Sequence, residues 1–349
     1  METHLTSQPP KAVIFGCESP VLSASEASFF QDADPLGFIL FARNCEEPQQ
    51  VAALVNDLRK SIGRADAPVL IDQEGGRVQR LGPPHWRKAP SAHALVEAVK
   101  THAPGQVTEA VKLNARLIAH ELSDLGISVN CLPVLDIPQP GSHDVIGDRA
   151  FGGSIEETAI LGRAVCDGLL DGGILPVMKH IPGHGRSVED SHKALDVVKA
   201  SREDLESSDF APFRALVDVP WAMTAHLIYN VLDEQYPATH SQRVLNGLIR
   251  SGFQYDGILL SDDVSMNALS GTIGERAARA LDAGCDIALH CNGKMDEMLE
   301  IANCTPGLTE QTAMRIQRAE TLRRESHSAE PFDFDAAVAR LTRLTGGLT

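Results

Sequence analysis

The stretch GILPVMKHIPGHGRSVEDSH, residues 173–192, decides how this chain folds. Its opening run, Gly173 to Met178, is apolar and short, as expected of a strand buried on both faces. From Lys179 onward the character changes. Fourteen residues hold three histidines, a lysine, an arginine, two carboxylates, two glycines and a proline. A structural loop rarely gathers so many titratable groups on a backbone punctuated by Gly and Pro. Polar chemistry issuing from the C-terminal end of a buried strand is where α/β enzymes place their active sites.

Working outward, similar short β-branched runs recur along the chain. They predict strands at 12–16, 37–41, 68–72, 127–130, 175–179, 222–225, 257–261 and 286–290. Longer amphipathic segments between them predict helices at 48–62, 108–125, 155–171, 202–216, 242–251, 274–283 and 295–302. Pro48 suits a first helical turn, and Gly126 suits the position after a helix end. Eight β-then-α units imply an α/β fold, a single (β/α)8 TIM barrel. A doubly wound open sheet is the competing architecture. Neither G-x-G-x-x-G after the first strand nor G-x-x-x-x-G-K-[ST] occurs, which weakens a nucleotide-binding reading. Residues 1–307 are read as the barrel. Residues 308–349, charged and helix-rich, are read as a C-terminal helical extension packed on its outside.

Composition narrows the partners. The 349 residues carry 31 Lys and Arg against 47 Asp and Glu, a formal charge of −16. Such an acidic surface repels phosphate backbones and anionic membranes, so neither nucleic acid nor a membrane is expected as a partner. Aromatic residues are 5% of the chain, so a ligand pocket must rely on polar contacts and a few aromatic faces. Seven cysteines, odd in number and without a CxxC, suggest a reducing compartment. The N-terminus lacks the charged and apolar regions of a signal peptide, and no apolar run reaches the ~18–20 residues of a membrane span. A cytoplasmic location follows as the expectation.

Polar residues accumulate at the ends of the expected strands. The third ends in DQEGGRVQR, with Asp72, Glu74, Arg77 and Arg80. The fourth runs toward Asp136, and the next loop carries Asp148 and Arg149. The fifth supplies Lys179 and His180, the sixth His226, the seventh Asp262 and Asp263, and the eighth His290 and Asn292. Each residue alone has a plain structural explanation. A strand-end Asp often caps a helix, His226 can be a satisfied core histidine, and Asp148 and Arg149 can form a surface ion pair worth little. Asp136, between Pro133 and Pro138, can simply fix a turn. Random surface charge, however, does not gather on six strand ends of one barrel.

These residue types suit glycoside hydrolysis. That reaction needs a group that attacks or stabilises the anomeric carbon and an acid that protonates the leaving oxygen. A carboxylate such as Asp262 can form a glycosyl-enzyme. A histidine titrates intrinsically near 6.5 and can give, then take, a proton. In D-S-H, Asp190 lies two residues before His192, so a turn can bring the carboxylate to the ring and fix its tautomer. Asp72 can accept from two sugar hydroxyls, Lys179 and His180 can donate, and arginines can recognise a carbonyl or carboxylate.

The motifs DQEGGRVQR, IGDRAF, KHIPGHG with DSH, MTAHLIY and LLSDDVSM resemble, in order and spacing, those of glycoside hydrolase family 3. More narrowly they resemble its short bacterial cytoplasmic β-N-acetylhexosaminidases, over roughly residues 12–305. The resemblance implies Asp262 as nucleophile, His192 as general acid/base and Asp190 as its partner. It implies Asp72, Arg80, Arg149, Lys179 and His180 as substrate-binding residues. The implied activity is retaining removal of terminal non-reducing β-linked N-acetylglucosamine, usually from muropeptide fragments of peptidoglycan recycling, with no metal or organic cofactor. Ile181 and Val264 stand where the family has Phe and Leu, apolar exchanges that bear on packing.

Three rivals remain. Within the family, a β-glucosidase or β-xylosidase is the nearest. A metal-dependent barrel hydrolase would draw on His180, His184, His192, Asp190, His226 and Asp262, but no HExxH occurs and Lys179 would repel a cation. A non-catalytic sugar-binding barrel would have no need of Asp262 or the D-S-H pair. His184 has no assigned chemistry and is expected to support its turn.

Overall fold

The structure, a computed structural model, describes residues 9–188, 195–328 and 331–348. Among these residues the strands are β1 (Lys11–Gly16), β2 (Pro35–Leu40), β3 (Val69–Ile71), β4 (Val129–Asn130), β5 (Leu175–Ile181), β6 (Asp196–Val198), β7 (Trp221–Thr224), β8 (Leu227–Tyr229), β9 (Ile258–Asp263) and β10 (Ile287–His290). Eight of them close a parallel barrel in the order β1-β10-β9-β7-β5-β4-β3-β2. These eight are the strands expected from the sequence. β6 and β8 were not anticipated; they pair in parallel as a separate two-stranded sheet.

Closure explains why the strand runs are largely apolar, with polar residues gathered toward their C-terminal ends. Successive side chains point to opposite faces, and in a closed barrel both faces are covered. Ile14, Ile39, Leu70, Val129, Leu175, Val177, Trp221, Met223, Ile258, Leu260, Ile287 and Leu289 pack together inside the barrel. Their alternates, among them Val13, Phe15, Phe38 and Val69, pack outward against the helices. Met178, Ala222 and Leu259 do the same on the far side.

The helices begin where the sequence offers caps. Ser154 accepts from the Glu157 backbone N–H and opens the helix Ile155–Asp171, and Thr272 with Glu275 forms a capping box before Ile273–Ala283. The helix expected at 202–216 is broken into Arg202–Ser207 and Ala211–Ala215. Pro212 contributes: with no N–H it cannot continue the ladder of the first helix, and it sits in the first turn of the second, where that N–H is not needed. The segment expected as an α-helix at 242–251 is wound more widely, as a π-helix at Arg243–Gly252. Two helices were missed, Ala24–Ala33 and Ala92–His102.

The chain after the barrel closes its floor. In the helix Glu310–Ser326, Ala319 joins the cluster that fills the barrel, with Ile316 and Leu322 packed against it. The same helix is anchored by charge to Asp286, just before β10. Arg315 Nη1 and Thr312 Oγ1 each lie 2.8 Å from Asp286 Oδ1, and Arg250 Nη2 lies 2.6 Å from Oδ2. The helix Phe334–Thr345 places Ala337, Leu341 and Leu344 in the core cluster that contains Leu95, Val96 and Val111. No helix of the described residues is long and apolar enough to cross a membrane.

Candidate active site

The C-terminal ends of the barrel strands surround a cavity of about 280 Å³. Asp72, Arg80, Arg149, Lys179, His180 and Asp262 all line it. Six residues separated by up to 190 positions in sequence are thereby brought to one site. Asp190 and His192 lie outside the described residues.

One wall is a chain of charges. Lys179 Nζ sits 2.9 Å from Asp72 Oδ1 and 2.6 Å from Glu74 Oε1. Arg80 Nη2 reaches Asp72 Oδ2 at 3.1 Å. Arg149 grips Glu74 with two parallel bonds, Nε to Oε2 and Nη2 to Oε1, both 2.8 Å. Bidentate, charge-assisted bonds of this kind fix orientation as well as energy. Lys179 and Glu74 are nearly inaccessible, with side chains 2% and 4% exposed, so neither ion is sustained by water. Burial pushes both carboxyls upward, but the lysine and the arginines outweigh it, and Asp72 and Glu74 fall below the usual carboxylate range. Burial likewise works against the Lys179 ammonium, and Asp72 and Glu74 reverse this and raise its pKa. At neutral pH the wall is two carboxylates interleaved with three cations. Phe41 lies beneath it, with the Arg80 guanidinium 5.1 Å from its ring centre and Arg43 at 5.0 Å.

A second wall is built on Asp136, which is 1% exposed. Its Oδ2 lies 2.7 Å from His180 Nδ1. Its Oδ1 accepts the backbone N–H groups of His180, at 3.2 Å, and of His184, at 2.6 Å. Burial raises the carboxyl, and the His180 ring followed by the His184 contacts bring it below its ordinary range. One carboxylate therefore ties the end of β5 to the turn that follows. Gly185 completes the tie. A side chain there would collide with the backbone of Ile137, and its carbonyl accepts the Gln139 N–H at 2.9 Å. The His184 ring packs 5.4 Å from that of His180, and burial pulls its pKa down to about 4.

At the end of β9, Asp262 and Asp263 differ in use. Asp263 Oδ1 accepts the backbone N–H groups of Ser265 at 3.0 Å and Cys291 at 3.2 Å, and Oδ2 accepts the Ser265 hydroxyl at 2.6 Å. Its carboxylate shapes the turn. Both residues line the cavity, and Asp262 Oδ1 accepts the Asp263 backbone N–H at 2.8 Å.

Other candidates settle into supporting places. His226 is fully buried, with Nδ1 2.7 Å from Thr239 Oγ1 and Nε2 3.1 Å from the Asp263 carbonyl, and burial lowers its pKa. It is a satisfied core histidine that supports the turn after β9. Asp148 and Arg149 do not pair with each other. Asp148 pairs with the exposed Arg77 at 2.9 Å, while Arg149 turns inward to Glu74. Sequence reasoning placed Glu74 at the rim without giving it a task, and gave Asp136 only that of fixing a turn. Their signal was present: an acidic residue two positions from Asp72 on a glycine-rich turn, and an aspartate flanked by prolines.

A parallel eight-stranded barrel whose strand ends present carboxylates, cations and imidazoles to a small cavity has the layout of a barrel enzyme, with polar groups suited to a hydroxylated ligand. The sequence matches the glycosyl hydrolase family 3 N terminal domain over residues 22–321. A beta-hexosaminidase of Methylococcus capsulatus is 36% identical over 315 residues, which cover 88% of this chain and 92% of that protein. One from Thiobacillus denitrificans is 38% identical over 266 residues, 74% of this chain and 73% of its own. Among solved structures, NagZ from Neisseria gonorrhoeae in complex with N-trifluoroacetyl-D-glucosamine superposes with a TM-score of 0.85 at 30% identity, covering 98% of this chain and 99% of that one. The chain belongs to glycosyl hydrolase family 3. It is a glycoside hydrolase, and its substrate is a carbohydrate.

Proposed function

We propose that the chain is a retaining exo-β-N-acetylglucosaminidase that removes terminal β-linked GlcNAc from muropeptide fragments in the cytoplasm. The observation that carries this is the joining of Asp262 to the Asp72–Lys179–Glu74–Arg149 wall in one cavity of about 280 Å³. That is at the small end of ligand pockets, which suits one terminal sugar better than an internal segment of a chain. The wall offers ionic donors and acceptors to ring hydroxyls. The N-acylated glucosamine held by the Neisseria relative supports GlcNAc as the sugar.

Asp262 attacks the anomeric carbon while the bond to the leaving oxygen breaks. His192, oriented by Asp190, gives that oxygen its proton. Water then attacks the glycosyl-enzyme, His192 takes a proton from that water, and Asp262 departs as carboxylate. Asp72, Arg80, Arg149, Lys179 and His180 hold the sugar. The roles of His192 and Asp190 rest on the D-S-H motif. Residues 308–349 belong with the barrel of residues 1–307 as a helical extension packed on it.

Hydrolysis of p-nitrophenyl β-GlcNAc, beside the β-glucoside and β-xyloside, tests the substrate. Turnover confined to GlcNAc, with the β anomer formed first by NMR, is expected. Preference for the glucoside or xyloside would move the chain to the rival specificity, and an α product would exclude double displacement.

A further inference from the structure

We infer that Asp136 is a positioning residue that makes His180 a hydrogen-bond acceptor, so that His180 selects a hydroxyl able to donate at one position of the sugar.

The argument begins with Asp136 Oδ2, 2.7 Å from His180 Nδ1. The Asp136 carboxyl is buried and receives two backbone N–H groups at its other oxygen, which stabilises the ionised form. An ionised carboxylate only accepts, so the hydrogen between the two groups belongs to Nδ1. A neutral imidazole carries one N–H. With it on Nδ1, Nε2 is a bare lone pair. Nε2 makes no hydrogen bond among the described residues, and the ring lines the cavity beside Lys179. The sequence alone allows His180 to donate. The Asp136 contact reverses that polarity for the neutral ring.

The consequence concerns recognition. Lys179, Arg80 and Arg149 can only donate, and Asp72 and Glu74 can only accept. Each of these has its charge engaged by another member of the wall. His180 offers a neutral acceptor whose direction is fixed by a partner outside the cavity. A hydroxyl there satisfies it. A hydrogen or fluorine at the same position leaves it unpaired, which a buried site penalises. The inference rests on the sugar-binding reading proposed above.

Asp136→Asn separates the two tautomers. The substituted side chain is nearly isosteric and keeps an oxygen for the two backbone N–H groups. Its amide then donates to Nδ1, and the ring proton moves to Nε2. Protein labelled with 15N-histidine reports the tautomer through its long-range 1H–15N pattern, with His180→Gln identifying the signal. The expected wild-type result is the Nδ1–H form. In Asp136→Asn we expect the Nε2–H form, an unchanged unfolding midpoint, and kcat/KM for p-nitrophenyl β-GlcNAc lower by roughly 10- to 100-fold. Across analogues lacking one ring hydroxyl at a time, the wild type should lose activity on one of them, and Asp136→Asn should lose no further activity on that same analogue. A wild-type Nε2–H tautomer would overturn the inference whether or not Asp136→Asn folds. So would an Asp136→Asn protein with switched tautomer and wild-type kcat/KM. An Nδ1–H ring in a protein inactive on every GlcNAc substrate would instead sink the glycosidase reading while leaving the tautomer assignment in place.

Discussion

The backbone N–H of Asp263 donates to Asp262 Oδ1 at 2.8 Å, while Asp263's own carboxylate is spent on Ser265 and Cys291. Adjacent aspartates at one strand end thus divide the work. Both line the cavity, but the Asp263 carboxylate is tied into the turn and the Asp262 carboxylate is not part of that tie.

That division predicts opposite phenotypes. Asp262→Ala should lower kcat by roughly 10⁴-fold or more, as removal of a nucleophile does, and should cost less stability than Asp263→Ala, which orphans more groups. Asp263→Ala leaves two backbone N–H groups and a hydroxyl without their acceptor, and should cost about 1–3 kcal/mol of stability. Steady-state kinetics and urea titrations of both proteins check this. Wild-type turnover in Asp262→Ala would remove it as nucleophile.

Glu74 is the shared counter-ion of Lys179 and Arg149 and is almost fully buried. Glu74→Gln leaves both cations short of charge in a dry place and should destabilise the fold by about 3–5 kcal/mol. Asp148→Asn, at the exposed Arg77 pair, should cost about 0–1 kcal/mol. Equal denaturation midpoints for the two variants would contradict the role given to the buried wall.

Burial holds the His184 and His240 rings down to about 4, against an unfolded value near 6.5. Between those values the unfolded chain binds more protons than the folded one. Stability should therefore be complete above about pH 6.5 and fall as pH drops toward 4. His240 sits outside the sugar cavity, with Nε2 3.0 Å from the Arg276 carbonyl. His240→Gln should flatten the slope by roughly 1.4 kcal/mol per pH unit, one proton's worth. Calorimetry at several pH values reads this directly, and an unchanged slope would refute it.

The floor helix makes a further demand. Ile316 and Leu322 pack against the cluster inside the barrel, and Arg315 neutralises Asp286. Ile316→Asp should lower the unfolding midpoint strongly, and removing residues 309–349 should abolish soluble, folded protein. A truncated chain with the wild-type circular dichroism spectrum and melting curve would show that the barrel stands without its floor.

Much of this was legible in the residues. All eight barrel strands could be read because closure buries both faces, so most appear as short, largely apolar runs. The missed helix Ala24–Ala33 did carry a signal, the Ser23–Glu26 capping box, but its weak amphipathic pattern hid it. β6 and β8 are three residues each, and their pairing depends on where the barrel places them. In the site, residue types and strand ends were readable one by one. That Arg149 abandons its neighbour Asp148 for Glu74, 75 positions away, is a fact of the third dimension.

The floor of the barrel also bears on synthesis. All eight barrel strands precede the helix Glu310–Ser326 in the chain. A nascent chain leaving the ribosome therefore has every stave before it has the base that seals them. Until that helix emerges, Trp221, Ile258 and Ile287 lack part of their cover, and the half-made barrel presents an apolar mouth to the cell. The segment that contributes least to the chemistry is the one that ends this exposure.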